Sequence, residues 1–404
     1  MINKINFLLI IILLMGVLAP AGPSLAADGI VVLESSAEVE FPDKLDFILT
    51  AESNSNITDV KLFTYVERLS YAHVTSEALV DIIPDRHITA EWSWDMRKTG
   101  GIPPGTNIQY WWEILDADGN TLETQPVTLR YDDTRYEWES VGQNDITLYW
   151  YKGDKEFADQ LLAAAVEGLD RLYENTGVSI TDPIEIYIYA NSNDLQSAMI
   201  FPQTWTGGVA YPLHNRIAIG IEASNIGWGL RTIVHELTHL VIHRMTYNPY
   251  LDLPVWLDEG LAMYMEGPLT QLFTQYLSQA VENNTLISVR SLASPFSAYA
   301  DRSYLSYAQS HSLVSMLIDT YGREKMLDLM TVMTDGIDYD EAFKKVYGFD
   351  MDGLDEIWRD YVNIQYMNQD NASVLTGTGL DYYLNLLFSW LQGVYIGQKI
   401  IHYT

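Results

Sequence analysis

Between Asp28 and Arg135 apolar and polar residues alternate with a period of two. The run AEVEFPDKLDFILTAES sets Val39, Phe41, Leu45, Phe47 and Leu49 in alternation, with a change of phase at Pro42. DVKLFTYVE continues with Val60, Leu62 and Tyr65–Val66. NIQYWWEIL and TLETQPVTLRY flank DADGN, a segment of turn formers that reads as the bend of a hairpin. A period of two sends successive side chains to opposite faces of a strand, one toward a core and one toward water. Residues 27–135 are therefore predicted to be all-β.

Short strands divided by turn signals suggest an immunoglobulin-like sandwich, on pattern alone, because no cysteine is present to bridge the sheets. After about Tyr136 the period lengthens. DKEFADQLLAAAVEGLDRLYENTG is apolar at helical spacing and closes on Asn-Thr-Gly, a helix stop. PIEIYIYA reads as a strand, NSNDLQSAMIF as a capped helix, and NRIAIGIEA as another strand. That order is an α+β layout. Tyr304 to Tyr361 reads mostly helical, ending in two capped helices, TDGIDYDEAFKKVYG and FDMDGLDEIWRDYV. Their Asp-Gly clusters lack the spacing of a calcium loop and read as turns and caps. The predicted division is a leader over 1–26, a β-sandwich over 27–135, an α+β domain over 136–368, and a linker with an apolar tail over 369–404.

Composition changes the picture at a few points. The chain has 404 residues and no cysteine, which excludes disulfides, thiolate metal sites and cysteine nucleophiles. MINKIN followed by FLLIIILLMGVLAP and small residues up to Ala27 reads as a secretory signal, with an uncleaved anchor as the alternative. Either places the body outside the cytoplasm, secreted or attached to the cell envelope. A formal net charge of −31 repels polyphosphate, so no nucleic-acid partner is expected. The tail LDYYLNLLFSWLQGVYIGQKIIHYT is apolar but interrupted by Asn385, Ser389, Gln392, Gln398 and Lys399. It reads equally as a weak membrane anchor or as a segment packed on the protein body.

The chemistry is concentrated in IVHELTHLVIH. His235 and His239 are four apart, so a helix sets both rings on one face, where two imidazole nitrogens can share one zinc ion. Glu236, beside the first histidine, is placed to take a proton from water there. His243 lies a further turn away, about 6 Å along the axis, too far to share the ion, and reads as structural or surface. A helix this apolar would be buried in any case, so the third ligand decides between a zinc site and a core helix. PVWLDEGLAMYMEG supplies a candidate in Glu259, twenty positions after His239 and across a proline-bearing loop. Glu266, two turns beyond Glu259, can hold the second nitrogen of a ligand histidine.

VHELTH with WLDEGLAMYME resembles the gluzincin zinc metallopeptidases, most of all the aminopeptidase-N-related and peptidase MA-like groups, in which a WLxEGxAxYxE segment carries the third ligand. The resemblance implies a thermolysin-like α+β domain holding one Zn2+ on His235, His239 and Glu259, with Glu236 as catalytic base and Glu266 supporting a ligand. It also implies a peptide or protein substrate. TWTGGVAYPLHNRIAIGI sits where these enzymes keep the edge strand that binds an extended peptide, and Gly207 and Gly208 would let substrate approach closely. The GxMEN segment that grips a free amino terminus is not in the sequence, which favours an endopeptidase over an aminopeptidase. SYLSYAQSHSLV offers Tyr304, Tyr307 and His311 as stabilisers of the oxyanion, with Tyr307 the first choice. Two other readings stand beside the peptidase: an inactive, metallopeptidase-like binding or adhesion protein, and a hydrolase of another amide or ester on the same scaffold.

Overall fold

The computed structural model describes residues 29–70 and 72–375, and side chains as far as residue 365. The chain divides into two compact units. One holds the residues up to 67 with 72–101 and 106–132; the other holds 68–71, 102–105 and everything from 133 onward.

The first unit is built of β1 (Ile30–Glu40), β2 (Lys44–Val66), β3 (Thr75–Val80), β4 (Asp85–Asp95), β5 (Thr106–Asp116), β6 (Thr121–Glu123) and β7 (Val127–Tyr131). All pairings are antiparallel. The long strand β2 organises them. Its first half pairs with β1 and β4, its second half with β3 and β5, and the register shifts near Ile57 where it passes from one set to the other. Leu45, Phe47, Leu49 and Ala51 are buried from the first half, and Ile108, Tyr110, Trp112 and Ile114 from β5. The two faces meet: the Phe47 and Tyr110 rings lie edge to face at 5.1 Å, and Trp112 Nε1 donates to Ser35 Oγ at 3.2 Å. The DADGN bend is held by Asp116, whose Oδ1 accepts from the backbone N–H groups of Asp118 and Asn120.

The second unit contains β8 (Glu139–Gln143), β9 (Ile146–Trp150), α1 (Lys155–Thr176), β10 (Ile184–Tyr189), α2 (Ser192–Gln196), β11 (Gly208–Tyr211) and β12 (Arg216–Gly220). It continues with α3 (Ile226–Met245), α4 (Val255–Glu266), α5 (Gln271–Glu282), α6 (Val289–Leu292), α7 (Ala300–Tyr321), α8 (Arg323–Met333), α9 (Tyr339–Val346) and α10 (Met351–Leu375). The sheet order is β11-β12-β10-β9-β8, with β9, β10 and β12 parallel and both outer strands antiparallel. The isoleucine-rich strands bury Ile186, Ile188, Ile217 and Ile219 against Leu161 and Ala165 of α1 and Ile233, Leu237 and Leu240 of α3. Helix α1 starts where Asp154 accepts from the Phe157 N–H and stops at Gly177, whose φ of 72° suits glycine.

Helices α4 to α10 enclose a second core around Trp256, Leu257, Leu313, Leu317, Phe343 and Trp358. The Asp-Gly clusters serve as caps: Asp338 accepts from the Glu341 N–H and Asp350 from the Gly353 N–H. Helix α10 takes in the first residues of the segment read as a linker. The leader and the apolar tail from 376 lie outside the described residues, among which no helix is long and apolar enough to cross a membrane.

Candidate active site

Helix α3 is sandwiched between the sheet and the helical core, so its apolar residues Ile233, Leu237 and Val241 are fully buried. The same burial draws in His235, Glu236 and His239, which need polar or ionic partners there. The His235 and His239 rings stand 4.9 Å apart, centroid to centroid. The loop from Thr246 to Pro254 returns the chain so that α4 lies against α3 with Glu259 facing both rings. Glu259 Oε2 is 3.3 Å from His235 Nε2 and 3.6 Å from His239 Nε2, yet it is buried and makes no hydrogen bond.

Those distances test whether a metal fits. A tetrahedral zinc ion with bonds of about 2.0–2.1 Å holds its ligand atoms about 3.3–3.4 Å apart. The carboxylate oxygen, 3.3 and 3.6 Å from the two nitrogens, lies close to that spacing, all three atoms fall within 4.8 Å of one another, and they are of the donor types zinc takes. Three further carboxylates stand close by, on Glu236, Asp258 and Glu266, so the donor set has a large excess of negative charge for a cation to balance.

The other ring nitrogens each face a carboxylate, in hydrogen-bonding geometry for His239 and at ion-pair distance alone for His235. His235 Nδ1 lies 2.9 Å from Glu266 Oε1, and Arg231, one turn earlier on α3, donates to Glu266 Oε2 at 3.1 Å. His239 Nδ1 lies 2.8 Å from Asp258 Oδ1. The second oxygen of Asp258 is 2.9 Å from His243 Nε2, so one carboxylate ties His239 to His243. Asp258 and Arg231 were not singled out from the sequence. The signal for Asp258 was available: it precedes Glu259 on α4, and His243 repeats the four-residue spacing of the two histidines.

Electrostatics follow from burial and these contacts. Burial alone would lower the pKa of His235, but Glu259 and Glu266 outweigh it and raise it to about 9. Burial likewise opposes the charge on His239, and Asp258 and Glu259 hold it well above its ordinary value. Burial would raise Glu259; its contacts with the two histidines instead lower it to about 2. Glu236 is shifted upward, chiefly by desolvation, the direction a general base near neutrality needs. The carboxylates around both rings thus favour positive charge on them.

Glu236 faces the edge strand β11. A Cβ at Gly208 would stand 2.4 Å from Glu236 Oε1, so glycine is what lets this strand lie against the carboxylate. A Cβ at Gly207 would meet the Trp228 ring at 3.0 Å. Gly208 thus borders the site, whereas Gly207 faces Trp228. A cavity of about 720 Å3 opens over His235, Glu236, His239 and Glu259, with Gly208 to Ala210 along one wall.

Tyr307 lines the cavity, its hydroxyl 3.5 Å from Glu259 Oε1 and its ring edge-on to Trp205. Burial first, then the Glu259 and Glu236 carboxylates, push its pKa well up, which keeps the phenol a proton donor in hydrogen bonds. The other two candidates lie elsewhere. Tyr304 packs on Phe273 and Tyr276, and His311 Nε2 lies 3.2 Å from the Gly267 carbonyl and lines no part of the cavity.

Residues 164–364 match the family model of the Peptidase MA superfamily. The match spans just under half of the chain and contains α3, α4 and α7; it supports a peptidase of gluzincin type. Among solved structures, aminopeptidase A of Legionella pneumophila in complex with aspartic acid is similar at 11% identity and a TM-score of 0.38, over 82% of this chain and 50% of that one. OgpA of Akkermansia muciniphila, in its inactive form with an O-glycopeptide substrate, is similar at 12% identity and a TM-score of 0.20, over 28% of this chain and 32% of that one. BhCBM56 is similar at 10% identity and a TM-score of 0.19, over 27% of this chain and 99% of that one. The chain thus spans half or less of the length of the first two. No curated protein matches it.

Proposed function

We propose that the chain is a zinc-dependent endopeptidase acting outside the cytoplasm, with His235, His239 and Glu259 as ligands and Glu236 as the base. The observation that carries this reading is the meeting of Glu259 Oε2 with the two Nε2 atoms at 3.3 and 3.6 Å beside a buried carboxyl of raised pKa. Zinc in such a site supplies Lewis acidity and lowers the pKa of water toward neutrality. Glu236 takes the proton of the attacking water and passes it to the leaving amine. Tyr307 donates its hydroxyl to the oxyanion, and the free edge of β11 receives the peptide backbone. Glu266 and Asp258 fix the tautomers of the two histidines. The open cleft and the absence of a GxMEN segment support cutting within chains rather than at an amino terminus. The leader sequence supports secretion or attachment to the envelope, and we read the first unit as an immunoglobulin-like sandwich that acts as a spacer or recognition module.

The test is bound metal per chain measured beside casein cleavage, for the wild type, Glu236→Gln and Glu259→Ala. One zinc per chain, activity lost in Glu236→Gln with zinc kept, and weakened zinc in Glu259→Ala are expected. A folded wild type that takes up no zinc when it is supplied would refute the reading.

A further inference from the structure

The cleft continues well past the metal cluster. His235, His239 and His243 line it on successive turns of α3, and Tyr247 lines it just beyond the helix end. The rise from His239 to that end is about 10 Å at 1.5 Å per residue. The facing wall tells the same length: β11 runs from Gly208, beside Glu236, to Tyr211, and Pro212 and Leu213 follow. Three residues of extended chain also cover about 10 Å.

At that far end the lining changes character. Leu69, Pro212, Leu213, Tyr247, Leu251 and Leu253 contribute to it, with Thr246 and Asn248 as polar neighbours in the same loop. Segment 68–71 is tied into this wall by the Leu69 N–H, which donates to the Leu213 carbonyl at 2.6 Å, and by the Tyr247 hydroxyl, 3.5 Å from the Leu69 carbonyl. Leu213 is 38% exposed although it sits in the wall of a cleft, and an apolar side chain entering there would cover it. The cation at this end, Arg244, is already engaged by Asp182, and Asp252 adds a negative charge to the lining. Among the described residues the lining at this end thus offers an acidic side chain little compensation, whereas an apolar one gains from the leucines, the proline and the tyrosine ring.

We infer that this end of the cleft is a specificity pocket for a large apolar side chain, leucine- or phenylalanine-sized, about three residues from the bond that is cut. The inference rests on the peptidase reading for the position of that bond, and it names the substrate class: extended segments with an apolar anchor at a distance. Binding energy gained so far from the reacting carbonyl serves to position it. A free terminus next to the cut bond would leave the pocket empty when it falls on that side.

Peptide binding tests this separately from catalysis. The probes are fluorescent twelve-residue peptides of serine, glycine and alanine, each with one phenylalanine moved along the sequence, titrated into the full zinc-supplied chain carrying Glu236→Gln. Burial of one large apolar side chain predicts about tenfold tighter binding for the peptides that place phenylalanine in the pocket than for the host peptide without phenylalanine. Leu213→Asp and Tyr247→Ala should bring those peptides back to the host value, and Leu213→Met should restore the preference. Equal binding at all positions, no binding of any peptide, or a preference that survives both substitutions would overturn the inference. Selective binding by a chain whose wild type cuts nothing would leave the pocket standing and remove the peptidase reading. Cleavage without the preference would do the reverse.

Discussion

Gly260, next to Glu259 on α4, sits where α4 crosses α7. A Cβ at this position would stand 2.5 Å from the Ser310 carbonyl oxygen and 2.7 Å from Val314 Cγ2. The nearer obstacle is backbone, so no rotamer change clears it. The helices must separate by roughly 1 Å to restore van der Waals contact. Overpacking of that kind costs about 1–3 kcal/mol. Alanine recovers about 1 kcal/mol through its better helix propensity. Gly260→Ala should therefore cost about 1 kcal/mol net, a fall in Tm of roughly 2–4 °C for a unit of this size. The effect on metal should be larger. Glu259 and Asp258 ride on the displaced turn, and ligand distances tolerate only about 0.2 Å of error. Zinc affinity should drop about 10–100-fold, the range seen when groups supporting a ligand are lost. The assay is zinc competition against a chelator, run with thermal unfolding on the wild type, Gly260→Ala and Gly227→Ala. Gly227 is the control, since a Cβ there meets nothing within 4 Å. If Gly260→Ala matches the wild type in both affinity and Tm, the close helix crossing does not set the position of Glu259.

Gly208→Ala acts on the base instead. Its Cβ would press on Glu236 Oε1, a side-chain end that can swing away, so kcat should fall about 10–100-fold with little change in Tm or bound zinc; unchanged kcat would refute the packing argument. Asp258→Ala removes the carboxylate shared by His239 and His243, and should weaken zinc about 10–100-fold in a chelator competition, whereas an unaltered affinity would show that Asp258 does not orient His239. The pH dependence has a definite sign. In the metal-free chain the pKa of His235 is raised to about 9, above its unfolded value of about 6.5, so its stabilising proton is fully in place below pH ~6.5 and lost as pH rises through 9. Zinc requires the neutral rings, and His239 is shifted upward as well. Binding should therefore expel up to two protons, and apparent affinity should climb from pH ~6.5 to 9. Calorimetry in buffers of different ionisation heat measures the protons released, and a flat affinity over that window would contradict the assigned charges.

Much of the molecule was legible before any coordinates. Strands and helices announce themselves by period two and period 3.6, because each must bury one face, and that pattern is written locally in runs such as KLDFILTA and FADQLLAAAVEGL. The pairing of His235 with His239 is equally local, since helix geometry alone sets residues four apart side by side. Glu259 could be anticipated because its segment is distinctive. Other partnerships depended on where the loop from Thr246 to Pro254 delivers α4. That placement decided that Asp258 joins His239 to His243, that His311 turns to the Gly267 carbonyl instead of the cleft, and that Gly260 is the point of closest helix contact. Likewise no periodicity relates Leu69 to Leu213, which are far apart in the chain and meet through a backbone hydrogen bond. The sequence by itself determined the elements, the pairing of His235 with His239 and the candidacy of Glu259, because those follow from spacing along a helix and from residue chemistry. Only the tertiary structure decided which side chains hold those donors and how far the cleft extends, because such contacts arise from the packing of elements that no local pattern encodes.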